Sequence, residues 1–148
     1  MIHVEAQGDA ALAELIKEAV QAVIEHQSAS GKAHLSIVVA DDARLQQLNR
    51  DFRGIDSATD VLAFPASETD PQTGALYLGD VVISAPRAAE QAGSAGHPVA
   101  TEVQLLTVHG ILHLLGHDHA GAEDKARMWR AQAEILERLG LGESVISE

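Results

Sequence analysis

The chain has 148 residues, 46% of them apolar and 22% charged, which is enough for one domain with a substantial core. It contains no cysteine, so disulfide frameworks and thiolate zinc sites are excluded, and any metal must be held by His, Asp or Glu. Its formal net charge of −12, with only 10 Lys and Arg residues, argues against a protein that coats nucleic acid. Action on RNA then requires local positive charge, from a metal ion and a few arginines.

The first ten residues give no indication of export or of membrane insertion. They carry Glu5 and Asp9 and lack a basic region followed by an apolar run. The longest apolar stretches, such as Val81 to Ile83, are too short to span a bilayer. We therefore expect a cytoplasmic protein that does not bind membranes.

The N-terminal part of the chain predicts a helix followed by a buried strand. Asp9 is a candidate N-cap, and apolar residues recur after it at helical spacing: Leu12, Leu15, Ile16, Ala19 and Val23. Residues 34–40 contain a run of aliphatic side chains that favours a largely buried strand.

The middle of the chain predicts a second helix and two further strands. Asp41 and Asp42 are candidate caps for a helix that carries Leu45, Leu48 and Phe52 on one side. A short strand is predicted over residues 60–64, with Pro65 as its end, and residues 67–74 are predicted as a loop. The third strand is predicted over residues 77–84.

The C-terminal half predicts helices. A short helix follows Pro86 and is broken between residues 93 and 96. Pro98 begins a helix that reaches about Leu115 and is ended by Gly116; because it is apolar over most of its circumference, it should be central and buried. A last helix covers about residues 123–139. Together these elements predict one α+β domain, residues 1–148, with a small mixed β-sheet, packed helices and a central metal-bearing helix.

Three histidines in the segment 109–119 indicate a metal site. His109 and His113 are four residues apart, so on a helix their rings lie on one face. After the helix ends at Gly116, the chain turns back and brings His119 to the same point. A single histidine on a buried helix is usually a hydrogen-bonded core residue. Two of them at this spacing, each costing about 1–3 kcal/mol if buried without a partner, favour a shared ion.

Three neutral imidazoles leave a divalent ion at least one open position, which is typical of catalytic zinc. The same histidine spacing occurs in the metzincin peptidase motif, where glutamate follows the first histidine as general base. Here that residue is Gly110, which disfavours a peptidase.

Several blocks of sequence together resemble the YbeY family of bacterial rRNA-maturation endoribonucleases. The string HGILHLLGHDH at 109–119 is similar to the family signature, and LNRDFRG at 48–54 with TDVLAFP at 59–65 resembles a second block. LGDVVIS at 78–84 resembles a third. The match covers about residues 35–142, and the order of the blocks makes it specific.

This resemblance implies a single-domain α+β metalloprotein with zinc, or another transition metal such as nickel, on His109, His113 and His119. It implies cleavage of single-stranded RNA in maturation of the 16S rRNA 3′ end, and a role in ribosome quality control. Arg53 falls on the family arginine that is thought to bind or cleave RNA. The implied partners are rRNA, the small ribosomal subunit and ribosome-associated proteins.

The sequence leaves some roles and functions open. Asp80 either faces the site or closes a turn, and Asp118 either orients a ligand or is a turn residue. His117 replaces a tyrosine of the family and is interpreted as a surface replacement rather than as a side chain that donates a hydrogen bond to a metal ligand. Trp129 and Gln132 stand where relatives often carry glutamate, interpreted as surface or core tolerance. The alternative functions are a metallopeptidase and a non-catalytic, metal-stabilised ribosome assembly factor.

Overall fold

The computed structural model describes residues 2–27, 33–117 and 121–141, which form four strands and five helices. In chain order these are β1 (Ile2–Glu5), α1 (Ala10–His26), β2 (Ala33–Ala40), α2 (Asp42–Arg53), β3 (Val61–Thr69), β4 (Leu76–Ser84), α3 (Ala85–Ala95), α4 (Val99–Leu114) and α5 (Ala122–Arg138). Asp9 and Asp41 cap α1 and α2, accepting hydrogen bonds from the backbone N–H groups of Leu12 and Arg44. Both caps were predicted from the sequence.

The strands form one mixed sheet in the order β1-β2-β4-β3. β1 and β2 are parallel, as are β2 and β4, whereas β3 runs antiparallel to β4. The predicted α+β class with a small mixed sheet is confirmed.

Helices cover both faces of this sheet, and they separate into two groups. Because side chains alternate along a strand, one face of β2 presents Leu35, Ile37 and Val39 to the main core, which also contains α1, α4 and α5. The other face presents Val38 and Ala40 to a smaller cluster around α2, with Leu45, Leu48, Leu62, Phe64 and Val82. The helix with the histidines and the helix that ends at Arg53 therefore lie on opposite faces.

α4 is the central helix of the fold, as predicted. Nearly every residue from Glu102 to Leu114 is buried. Pro98 occupies the N-cap position, and Gly116 adopts a φ of 96° just beyond the C-cap residue Leu115. Its bounds agree with the predicted ones to within a residue or two, since the apolar run and its proline and glycine ends are encoded locally.

The structure differs from the sequence-based predictions for the sheet and α2 at three points. β1 was not predicted at all. Pro65 does not end a strand, because β3 continues to Thr69 with a register shift between Pro65 and Glu68. β3 lies at the edge of the sheet formed by the described residues, where a missing N–H group costs no ladder bond. Phe52 does not share the buried side of α2, since 70% of its surface is exposed.

Candidate metal centre

Two of the three predicted ligands converge on the buried side of α4. The Nε2 atoms of His109 and His113 lie 3.2 Å apart, with ring centroids 4.7 Å apart and planes at 75°. Nitrogens that each bind a tetrahedral zinc ion at 2.0–2.1 Å are separated by about 3.3–3.4 Å. The pair therefore has the separation expected of two ligands of one ion.

Gln132 on α5 contacts the far side of the His109 ring. Its Oε1 lies 3.0 Å from Nδ1, and Gln132 is 2% and His109 9% exposed. An amide oxygen only accepts, so Nδ1 carries the proton and donates it. The lone pair of His109 is then on Nε2, the atom that lies next to His113. A hydrogen bond of this kind fixes the tautomer and orientation of a metal-binding imidazole.

No contact with the histidines was predicted for Gln132 from the sequence, whereas the structure gives it one. The side chain lies on the buried stripe of α5 with Met128, Ala131 and Ile135, where an unpartnered amide would be costly. The sequence signal that could have indicated this contact is a polar residue on the apolar stripe of α5. Its partner, 23 residues earlier on another helix, was not evident from local pattern.

The third proposed ligand, His119, lies outside the described residues, as does Asp118. Within the described ranges, no group of three or more potential metal-binding side chains forms a competing site. The predicted three-histidine set therefore stays a prediction, of which the structure positions the first two members.

His117 joins the end of α4 to α1 and α5. Its Nε2 donates to Oε1 of Gln27 at 2.7 Å, and the Gln27 amide donates to Nδ1 of His26 at 2.8 Å. Nε2 of His26 then donates to Glu134 at 2.9 Å, which holds the pKa of that carboxyl below its usual range. Burial, with Arg127 and His26 nearby, lowers the pKa of His117. His117 is thus a partly buried tether, not the surface replacement expected from the sequence.

Gly110 faces the sheet rather than the space beside the histidine nitrogens. A Cβ atom at this position would lie 2.6 Å from Cγ1 of Val81 on β4. A glutamate there, as in the metzincin motif, would have to displace the core before its carboxylate reached a metal. The structure thus gives a packing reason, beyond residue identity, against the peptidase alternative.

Two other candidate residues lie away from this centre. Asp80 lies within β4 and accepts a hydrogen bond from the Tyr77 hydroxyl, whose pKa is raised by burial and by that carboxylate. It pairs with Ser36 on β2, on the sheet face opposite α4, so it neither closes a turn nor faces the histidines. Arg53 ends α2 on that same opposite side, exposed to solvent. The described contacts do not bring Arg53 to the histidines.

Comparison with known proteins settles the family. A family model described as Endoribonuclease YbeY matches residues 2–140. The chain belongs to the YbeY endoribonuclease family. A YbeY endoribonuclease of Pelotomaculum thermopropionicum is 46% identical over 136 residues, covering 90% of each chain. One of Moorella thermoacetica is 41% identical over 133 residues, covering 85% of each. The resemblance stated from the sequence blocks is confirmed.

A solved structure shares the fold of this chain. The solution structure of a Thermotoga maritima protein superposes with a TM-score of 0.59 at 25% identity, covering 98% of this chain and 97% of that one. The arrangement of strands and helices is therefore shared over nearly the whole length. Among the described residues, no helix has the length and apolarity needed to cross a bilayer.

Proposed function

We propose that this chain is a metal-dependent endoribonuclease that cuts single-stranded RNA. The observation that carries the proposal is the 3.2 Å approach of the His109 and His113 Nε2 atoms, with Gln132 fixing the His109 ring. His109, His113 and His119 would hold one zinc ion, with nickel as the other candidate. When bound, such an ion supplies Lewis acidity toward a phosphate oxygen or a water molecule.

The residues of the chain have separate tasks in this proposal. Gln132 holds the His109 ring, and α4 keeps His109 and His113 in register through its i, i+4 spacing. Arg53 binds the phosphate backbone of the substrate through its guanidinium group, which pairs well with phosphate oxygens. It does so from the opposite side of the sheet, so its role is to bind RNA along its path to the metal.

The proposed substrate is 16S rRNA near its 3′ end, with a further role in ribosome quality control in the cytoplasm. The family and its endoribonuclease description support this assignment. The net charge of −12 predicts weak affinity for naked RNA, so protein partners on the small ribosomal subunit would supply targeting. Tight binding of naked RNA at physiological salt would contradict this part of the proposal.

A cleavage assay tests the proposed activity against the two alternatives. The purified protein should cut single-stranded RNA, leave casein intact, and lose RNA cleavage in a chelator without unfolding. Casein cleavage would support the peptidase, and a fold that melts on chelation without any prior RNA cleavage would support the assembly factor. The chemical ends of the RNA products identify the nucleophile. A 2′,3′-cyclic phosphate would show that the RNA 2′-hydroxyl attacks, whereas its absence favours water.

Replacing Gln132 should change metal affinity without changing the ligands. Gln132→Leu removes the acceptor for His109 Nδ1–H, so zinc affinity should fall about 10- to 100-fold in a competition titration with a chromophoric chelator. Gln132→Glu keeps an acceptor, and a charged one, so it should bind zinc at least as tightly as the wild type. Equal zinc affinities for the Leu and Glu variants would show that Gln132 is only a packing residue.

A further inference from the structure

The end of α2 exposes an aromatic ring next to arginines. Phe52 is 70% exposed, the largest such value among the exposed large hydrophobic residues of the described chain, and Ile55 beside it is 46% exposed. The Phe52 ring packs edge-to-face with the Phe64 ring on β3, with centroids 5.5 Å apart and planes at 67°. This edge contact restrains the ring while most of its surface stays open to solvent.

Arg53 follows Phe52 directly, and its guanidinium makes no hydrogen bond or ion pair with any residue that the structure describes. Arg50 lies one half-turn before Phe52 and approaches Asp51 at 3.5 Å, a contact between two half-exposed groups that contributes little. The chain has 22 acidic and 10 basic residues. An arginine that pairs with none of the described carboxylates and lies beside an exposed ring is therefore unusual in it.

We propose that Phe52 adds a base-stacking surface beside Arg53, and we call the two residues together a docking platform for single-stranded RNA. An unpaired base stacks on the open face of Phe52, and the adjacent phosphate pairs with Arg53. Every base has a flat face, so stacking on an aromatic ring binds single strands with little regard to sequence. Paired bases already stack on their neighbours, so duplex RNA would not use the ring. This inference rests on the proposed function and adds the residues that grip the substrate.

Other occupants fit these features less well. A stable protein interface buries on the order of 1,000 Å² or more with a contiguous apolar centre, whereas here two exposed apolar side chains stand among charged ones. The net charge of −12 disfavours anionic lipid surfaces as it disfavours RNA, but a lipid surface offers no base to stack on the ring. The negative end of the α2 dipole also disfavours phosphate at this helix end, so the guanidinium must supply the attraction.

The platform lies apart from the metal centre but is connected to it through the edge of the sheet. Phe64, which contacts Phe52, belongs to the edge strand β3, and α4 packs on β3 and β4 from the other face. RNA held by Phe52 and Arg53 would have to pass around β3 to reach His109 and His113. The platform therefore acts on substrate binding and not on the chemical step.

The experiment compares four variants of the full chain in RNA binding and in RNA cleavage. Phe52→Ala and Phe52→Leu remove the flat ring, Phe52→Trp keeps one, and Val99→Ala removes a side chain of 45% exposure elsewhere, as control. Binding of a fluorescent single-stranded oligonucleotide is measured by anisotropy with the native, metal-containing protein, at times too short for cleavage. Loss of one base–ring stack should weaken binding roughly 5- to 100-fold.

The expected result is weaker RNA binding and a raised KM for the Ala and Leu variants, with kcat unchanged. The Trp variant and the Val99 variant should bind like the wild type. If Phe52→Leu binds RNA like the wild type, the ring contributes only apolar contact and base stacking is ruled out. If Phe52→Ala also binds RNA like the wild type, Phe52 has no part in RNA binding and the platform is ruled out. These outcomes differ from failure of the proposed function, in which the wild-type protein itself does not cleave RNA.

Discussion

His113→Ala should abolish RNA cleavage, lowering kcat on the order of 10³-fold or more, while the protein stays folded. Without this ligand the remaining imidazoles would hold a cation weakly, and the acidity that the ion would give to a water molecule would be lost. His113 is only half-buried at the end of α4, so its removal leaves no large cavity in the core. Cleavage of a single-stranded RNA and thermal melting, measured on the same preparation, check both parts.

His3→Ala provides the matched control for this variant. His3 lies exposed on β1, and among the described residues its side chain pairs only with Glu5, at 3.1 Å. Its removal should leave RNA cleavage unchanged within about twofold. A His113 variant that cleaves RNA at the wild-type rate would rule out this histidine as a ligand of a catalytic ion.

Gly79→Ala should destabilise the fold by about 2–4 kcal/mol, from the sum of backbone strain and overpacking. Gly79 adopts a φ of 134°, which L side chains rarely accept. A Cβ atom there would overlap the backbone carbonyl oxygen of Phe64 and lie 3.0 Å from the Leu114 side chain. Because Leu114 follows His113 directly, the same strain reaches the end of α4 that carries this proposed metal ligand.

Urea denaturation of Gly79→Ala and Gly93→Ala tests this packing argument. Gly93 lies within α3 with nothing within 4 Å of an added Cβ, so alanine there should stabilise the protein by roughly 0.5–1 kcal/mol through helix propensity. Opposite shifts of the two midpoints are expected. A Gly79 variant with the wild-type midpoint would show that the strand adjusts without strain.

The helices were predictable because their signals are local. The Asp9 and Asp41 caps and the apolar run of α4 with its proline and glycine ends each lie within a few residues of what they determine. β1 escaped prediction because its alternation of half-buried and exposed residues covers only four positions, and its pairing with β2 joins residues more than thirty positions apart. The continuation of β3 beyond Pro65 depended on its place at the sheet edge.

The features of the candidate site also separate into those that depend on local sequence and those that depend on tertiary packing. His109 and His113 were predictable as neighbours because helical geometry alone places residues four apart on one face. The contact between His109 and Gln132 depends on how α5 docks against α4, and the position of Arg53 depends on which face of the sheet α2 covers. Both follow from tertiary packing, which sequence periodicity does not encode.

The most direct test of a catalytic metal centre is the metal content of the native protein, measured together with its RNA cleavage. Purified without added metal, the protein should contain about one zinc or nickel atom per chain. Dialysis against a chelator should remove metal and cleavage together, and zinc should restore both. A native protein that contains no transition metal yet cleaves RNA at full rate would contradict the assignment.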